Sequence, residues 1–132
     1  MFKFQLLSDT DSESGVLIAK QKITSNGFNK YVTSDNYGSD LNGIVIILMC
    51  RKPEIVFKKR LRLSKKEKVL YMDIMLDYDL FNNMAFEQRI TQICKTLLVE
   101  LSQVLKKYKF QDFKSNELIK KLENWFVNYG FI

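Results

Sequence analysis

The sequence predicts an α+β fold: an antiparallel sheet of about four strands with helices packed on one face, in the order β-α-β-β-β-α-α, as a single domain over 1–132. Three observations predict it. GIVIILMC at 43–50 is apolar on both faces and rich in β-branched residues. Two further segments, 55–63 and 69–77, alternate between apolar and polar residues across the polar stretch SKKEK. After Asn82 and Asn83 the hydrophobic period changes from two to 3.6. With 132 residues, 46% of them apolar or aromatic, the chain is large enough for one packed core.

The opening FKFQLL contains good strand formers and gives a first strand at about 2–7. The segment 12–26 starts with several N-cap residues, ends in Asn26 and Gly27, and carries Val16, Ala19 and Ile23 at helical spacing. It also alternates through Val16, Ile18 and Lys20, so strand is the alternative to helix. Asn26 to Asn42 is rich in Asn, Ser, Gly and Asp, whose side chains bond their own backbone, and reads as a loop.

GIVIILMC should be an interior strand, ended by Pro53. In 55–63, Ile55, Phe57, Leu61 and Leu63 point one way and Val56, Lys58, Arg60 and Arg62 the other, with Lys59 a misfit on the apolar side. In 69–77, Leu70, Met72, Ile74 and Leu76 point inward against Tyr71, Asp73, Met75 and Asp77. The two segments make a hairpin. Phe86, Ile90, Ile93, Leu97, Leu101, Val104, Leu105 and Tyr108 then form one stripe on a long helix. A last helix starts near Ser115 as cap, with Leu118, Leu122, Trp125, Phe126 and Tyr129 on one face.

Chemistry is constrained by what is missing. The chain has no histidine, which removes the commonest general base and the triads and zinc sites that need one. Cys50 and Cys94 stand in unrelated segments, so they read as reduced core residues rather than a metal knuckle or redox pair. Asp73, Asp77 and Asp79 are the one acidic group near a strand end, but at about 3.3 Å rise per residue Asp73 and Asp77 stand roughly 13 Å apart, too far to share one ion. No enzyme, metal or cofactor is expected. No apolar run approaches the roughly 20 residues needed to span a bilayer, and the first residues lack a signal-peptide pattern, so a cytoplasmic location and no membrane partner are expected.

The net charge of +6 is local. Residues 43–72 hold nine Lys/Arg against two Asp/Glu, whereas 73–132 hold eight of each. Such a cluster is a solvated face, a nucleic-acid site or part of a protein interface. The nucleic-acid alternative is a basic module using the strand at 55–63, with Lys58, Arg60 and Arg62 in a row toward phosphates. Tyr71 is the one aromatic placed on that face, and no RNA-binding signature is present, so nucleic acid is the less favoured partner. The protein-binding reading rests on the outward side of the sheet, where one of the two apolar sets of 43–50 faces away from the helices beside Val56, Tyr71 and Met75. The alternative is that the loop at 26–42 covers that side. The residues expected to carry a partner contact are Lys58, Arg60, Arg62, Tyr71 and Asp73.

Read together, GIVIILMCRKPE, KKEKVLYMDIMLDYDLF and QRITQICKTLLVELSQVLKKYKFQDF resemble a family of small immunity proteins encoded beside toxins in bacterial polymorphic-toxin and contact-dependent inhibition systems. The resemblance covers about 43–122. It rests on the hairpin with a short charged turn ending in Asp77 and Tyr78, the long helix with Ile93, Cys94, Leu97 and Leu98, and Phe110 and Phe113 before the last helix. It implies a helix between the first strand and the apolar strand, no catalysis, and a cognate toxin domain as protein partner.

Overall fold

The computed structural model describes residues 1–9, 15–52, 54 and 58–132. In chain order the elements are β1 (Lys3–Ser8), α1 (Val16–Thr24), α2 (Phe28–Val32), β2 (Gly43–Met49), β3 (Leu61–Ser64), β4 (Val69–Met75), α3 (Tyr78–Asn82), α4 (Phe86–Tyr108) and α5 (Ser115–Asn128). The class is α+β. The sheet, however, is mixed rather than antiparallel: its order is β1-β2-β4-β3, with β1–β2 and β2–β4 parallel and only β3–β4 antiparallel.

Two physical causes account for the difference. The chain returns from β1 to β2 through a crossover that carries two helices, and such a connection brings the second strand back pointing the same way. The hairpin then docks on β2 by its second strand. β4 turns Leu70, Met72 and Ile74 into the core at 0–2% exposure, whereas β3 leaves Leu61 and Arg62 exposed. The more apolar strand takes the interior position and the short charged one the edge, where cations deter further strand pairing.

The expected strand at 55–63 shortens to Leu61–Ser64, with 58–60 outside any strand; Pro53, Ile55, Val56 and Phe57 lie outside the described residues. Segment 12–26 contains the helix α1. Segment 26–42 is not wholly a loop, because Phe28 and Val32 lie one turn apart and both are fully buried on α2. The unexpected α3 starts at Asp77, whose carboxylate accepts from the Leu80 N–H at 3.0 Å, a local bond that satisfies a free helical donor. At α5 the cap position belongs to Lys114, and Ser115 is the first helical residue.

The helices lie on one face of the sheet, α1 and α2 against β1 and α4 against β4, with α5 packed on α4 and α2. Phe4, Leu6, Ile44, Ile46, Leu48, Leu70, Met72 and Ile74 form that face, and they meet Val16, Ala19 and Ile23 of α1, Ile90 through Leu105 of α4, and Leu118, Leu122 and Phe126 of α5. Trp125 anchors α5 to the end of α1, its indole N–H donating to the Ile23 carbonyl at 3.0 Å. Two stripe residues lie outside the core: Phe86 is 43% exposed, and Tyr129, just past α5, is 44% exposed and lies against Trp125 with the rings tilted by 40°. Both cysteines are buried, and burial pushes the Cys94 thiol up, away from the reactive thiolate. Among the described residues no helix is long and apolar enough to cross a membrane.

The segment after α2 is tied to the helical side and does not cover the opposite face. Tyr37 is buried among Phe2 and Phe113, and burial raises its phenol to about 12. The Asp112 carboxylate accepts from the Ser39 hydroxyl and, at 3.0 Å, the Ser39 N–H, which holds its carboxyl below the usual range. Gly38 sits at φ +112°, and a Cβ there would lie 2.3 Å from the Asp112 carbonyl oxygen. Neither the dihedral nor the space admits a side chain. Gly38→Ala should lower stability by about 3 kcal/mol, roughly 10 °C in Tm by thermal denaturation; a loss below about 1 kcal/mol would show that this junction yields easily.

Candidate functional site

With the helices on one face, the other face of the sheet presents Gln5 and Leu7 from β1, Val45 and Ile47 from β2, and Tyr71, Asp73 and Met75 from β4 in register. The two apolar sets of β2 thus fall on opposite faces, although Met49, at the end of the outward set, is itself buried at 2% exposure. Ile44, Ile46 and Leu48 lie at 0% exposure beneath the helices, while Val45 and Ile47 are half-buried on the open face. The next row comes from β3 and the residues leading into it. Arg62 is paired with Tyr71 across the strands. Arg60 extends the ladder, since the Asp73 N–H donates to its carbonyl at 2.9 Å.

The five residues singled out by the alternation line one groove of about 680 Å³: Lys58, Arg60 and Arg62 from the edge, Tyr71 and Asp73 from β4, with Ile47 beside Asp73. They play different parts. Arg62 lies over the Tyr71 ring, its guanidinium carbon 4.5 Å from the centroid, while the Tyr71 hydroxyl reaches the Glu67 carboxylate in the turn at 3.4 Å. Lys58 is exposed on the rim.

Asp73 departs from the alternation. It points to the open face as expected, yet it is 2% exposed, the one charged residue in the buried class among the described residues. Its Oδ2 accepts both the Arg60 backbone N–H at 3.0 Å and the Arg60 Nε–H at 3.1 Å. A desolvated carboxylate needs such partners, and charge-assisted bonds are the stronger kind. The Arg60 side chain stays 67% exposed, so solvent screens the Coulombic part and the two hydrogen bonds carry most of the effect.

The neighbouring residue is held from the other side. Lys59, the misfit of the apolar row, turns its ammonium to Glu100 on α4. Lys59 and Arg60 are thus held by partners on different elements, Glu100 of α4 and Asp73 of β4, and both line the groove. Glu100 and Glu67 were not foreseen as part of this arrangement. The sign of Glu100 was present in the sequence, as an unexplained lysine in an apolar row that needed an acidic partner on a helix.

The remaining acids serve local structure: Asp77 caps α3, and Asp79 lies in its first turn. Cations upstream are also engaged, since Arg51 Nε lies 2.6 Å from the Asp9 carboxylate at the ends of β2 and β1. Asp73→Ala should cost about 2 kcal/mol by denaturant titration, against less than about 0.5 kcal/mol for Lys58→Ala on the exposed rim. Equal small losses for both would mean that the Asp73 contacts do not anchor the edge.

No curated protein sequence and no solved structure matches the chain. A family model does, that of the family described as Immunity protein 44, over residues 3–128. The match contains the stretch 43–122 that carried the resemblance and adds β1, α1 and α2 to it. It ends at the last residue of α5, so every element of the fold lies inside it, and the chain belongs to the Immunity protein 44 family.

Proposed function

We propose that the chain binds and neutralises a cognate toxin domain without chemistry of its own, and that the toxin sits on the open face of the sheet around Lys58, Arg60, Arg62, Tyr71 and Asp73. Membership of an immunity family gives the class of activity. The observation that carries the choice of surface is the groove itself, with Ile47 and Tyr71 beside a cationic rim, on the sheet face that no helix among the described residues covers. Tyrosine and arginine in such settings are the side chains that most often anchor protein interfaces. Four strands about 4.8 Å apart, of six, seven, four and seven residues at ~3.3 Å each, give a face on the order of 380 Å². A stable interface buries roughly 800 Å² per side, so rim residues and loops must contribute too.

In this reading Asp73 acts mainly by holding Arg60, and Tyr71 and Arg62 make direct contacts. Lys65 and Lys66, in the exposed turn between β3 and β4, act at longer range on the rate of encounter. The nucleic-acid reading draws on the same row of cations. It is weakened by the acids that already engage Arg51, Lys59 and Arg60.

Protection of cells expressing the toxin encoded beside this gene tests the proposal. Tyr71→Ala and Arg60→Ala should each weaken the complex about thirtyfold and reduce protection, with Tm changed little in the Tyr71 variant. Full protection and unchanged affinity in both would move the contact off this face. Generic duplex DNA and single-stranded RNA should bind only weakly at physiological salt; a tight, saturable complex that weakens steeply with salt would favour the nucleic-acid reading instead.

A further inference from the structure

Resting on the reading that the open face receives the toxin, we infer that the segment seated there is extended and acidic, with carboxylates at alternate positions forked by Arg60 and Arg62 and an apolar side chain set against Ile47. Both hydrogen bonds that Arg60 donates run to the Asp73 carboxylate, from its backbone N–H and its Nε–H. A guanidinium carries five N–H donors, so the four on its two terminal nitrogens remain, on a side chain that is 67% exposed. These form the planar fork that matches a carboxylate in bidentate fashion. Asp73 is fixed by the β4 ladder, so the fork is oriented before any partner arrives, and less side-chain freedom is lost on binding.

Arg62 is oriented in a different way, with its guanidinium carbon 4.5 Å from the Tyr71 ring centroid. Arg60 and Arg62 stand two residues apart on one side of the edge, a separation of roughly 7 Å in extended chain. Side chains at i and i+2 of an extended partner segment repeat at the same interval. Lys58 continues the row as a point charge. The floor argues for a protein segment over a phosphate backbone, because Ile47 offers apolar contact and the carboxylates of Asp73 and Glu67 flank the cations. Asp73 is therefore a positioning residue, acting on the partner through Arg60.

The test is a titration of the full chain with the toxin domain encoded beside it, inactivated in its own active site. With wild type, affinity should fall steeply between low and high salt, and carbodiimide should couple the Lys58 amine to a toxin Asp or Glu. Arg62→Glu, whose residue has no structural ion pair, should weaken binding about a hundredfold, and Arg62→Lys about tenfold, because the charge is kept and the fork is lost. Lys58→Glu supplies a second reversal at an exposed site. A wild-type complex that is indifferent to both reversals, or whose coupling does not involve Lys58, overturns the acidic-segment inference and leaves the immunity reading standing. Displacement of the toxin by poly(U) at equimolar phosphate overturns it in favour of a phosphate site. If wild type neither binds nor protects, the functional reading fails and this inference fails with it.

Discussion

An interior strand must satisfy its backbone along both edges, and most of this fold follows from that requirement at β2. Gly43–Met49 is the most apolar stretch of the chain, bonded to β1 on one side and β4 on the other. Once β4 takes the second edge, β3 can bond only to the far side of β4 and becomes the rim of the sheet. The most basic part of the chain thus reaches an edge, where charge is tolerated and strand extension is discouraged. Helices on one face then leave a broad opposite face bordered by Lys58, Arg60 and Arg62. Placement of the cations is thus a consequence of where the greasiest strand has to sit.

The periodicities identified elements well because each reflects a local geometry. The stripe from Ile90 to Leu105 and the set Leu118, Leu122, Trp125 and Phe126 are buried as the 3.6 period requires. The alternation of 69–77 sends Leu70, Met72 and Ile74 inward. Strand direction was misread, although two signs of it were legible. A helix between two neighbouring strands makes them parallel, and a strand apolar on both faces is typical of a parallel interior. Pairing consecutive strands into a meander overlooked that β4 is a better neighbour for β2 than β3 is. The short helices α2 and α3 escaped notice because one turn yields too few apolar repeats to stand out within polar sequence, although Phe28 and Val32 are four apart.

The candidate site was legible as a row but not as a mechanism. Alternation assigns a side chain to a face, and it placed Arg60, Arg62, Tyr71 and Asp73 together correctly. It says nothing about depth. Asp73 is sunk to 2% exposure and bonded by Arg60 from the adjacent edge, a contact that joins residues 13 apart in sequence. Lys59 and Glu100 are 41 apart, and only the packing of α4 against the sheet brings them together. Long-range pairs of this kind are absent from any local pattern.

The positive charge is less free than the net value of +6 suggests. Arg51, Lys59 and Arg60 are each matched by an acid of the same chain, so they fasten strand ends and the edge to the body of the fold rather than project a field. What remains directed outward is narrower: Arg62 held on Tyr71, the unused fork of Arg60, and lysines on the rim. Oriented donors of this kind discriminate by geometry, because each must be met by an acceptor at a set position and angle, and a mismatched partner leaves them desolvated and unpaired. A diffuse basic patch would attract every anion about equally. On the proposed reading, rigid forks beside Ile47 favour a partner whose acids and apolar side chains alternate in step with the strand, the selectivity that an inhibitor of a single protein would require.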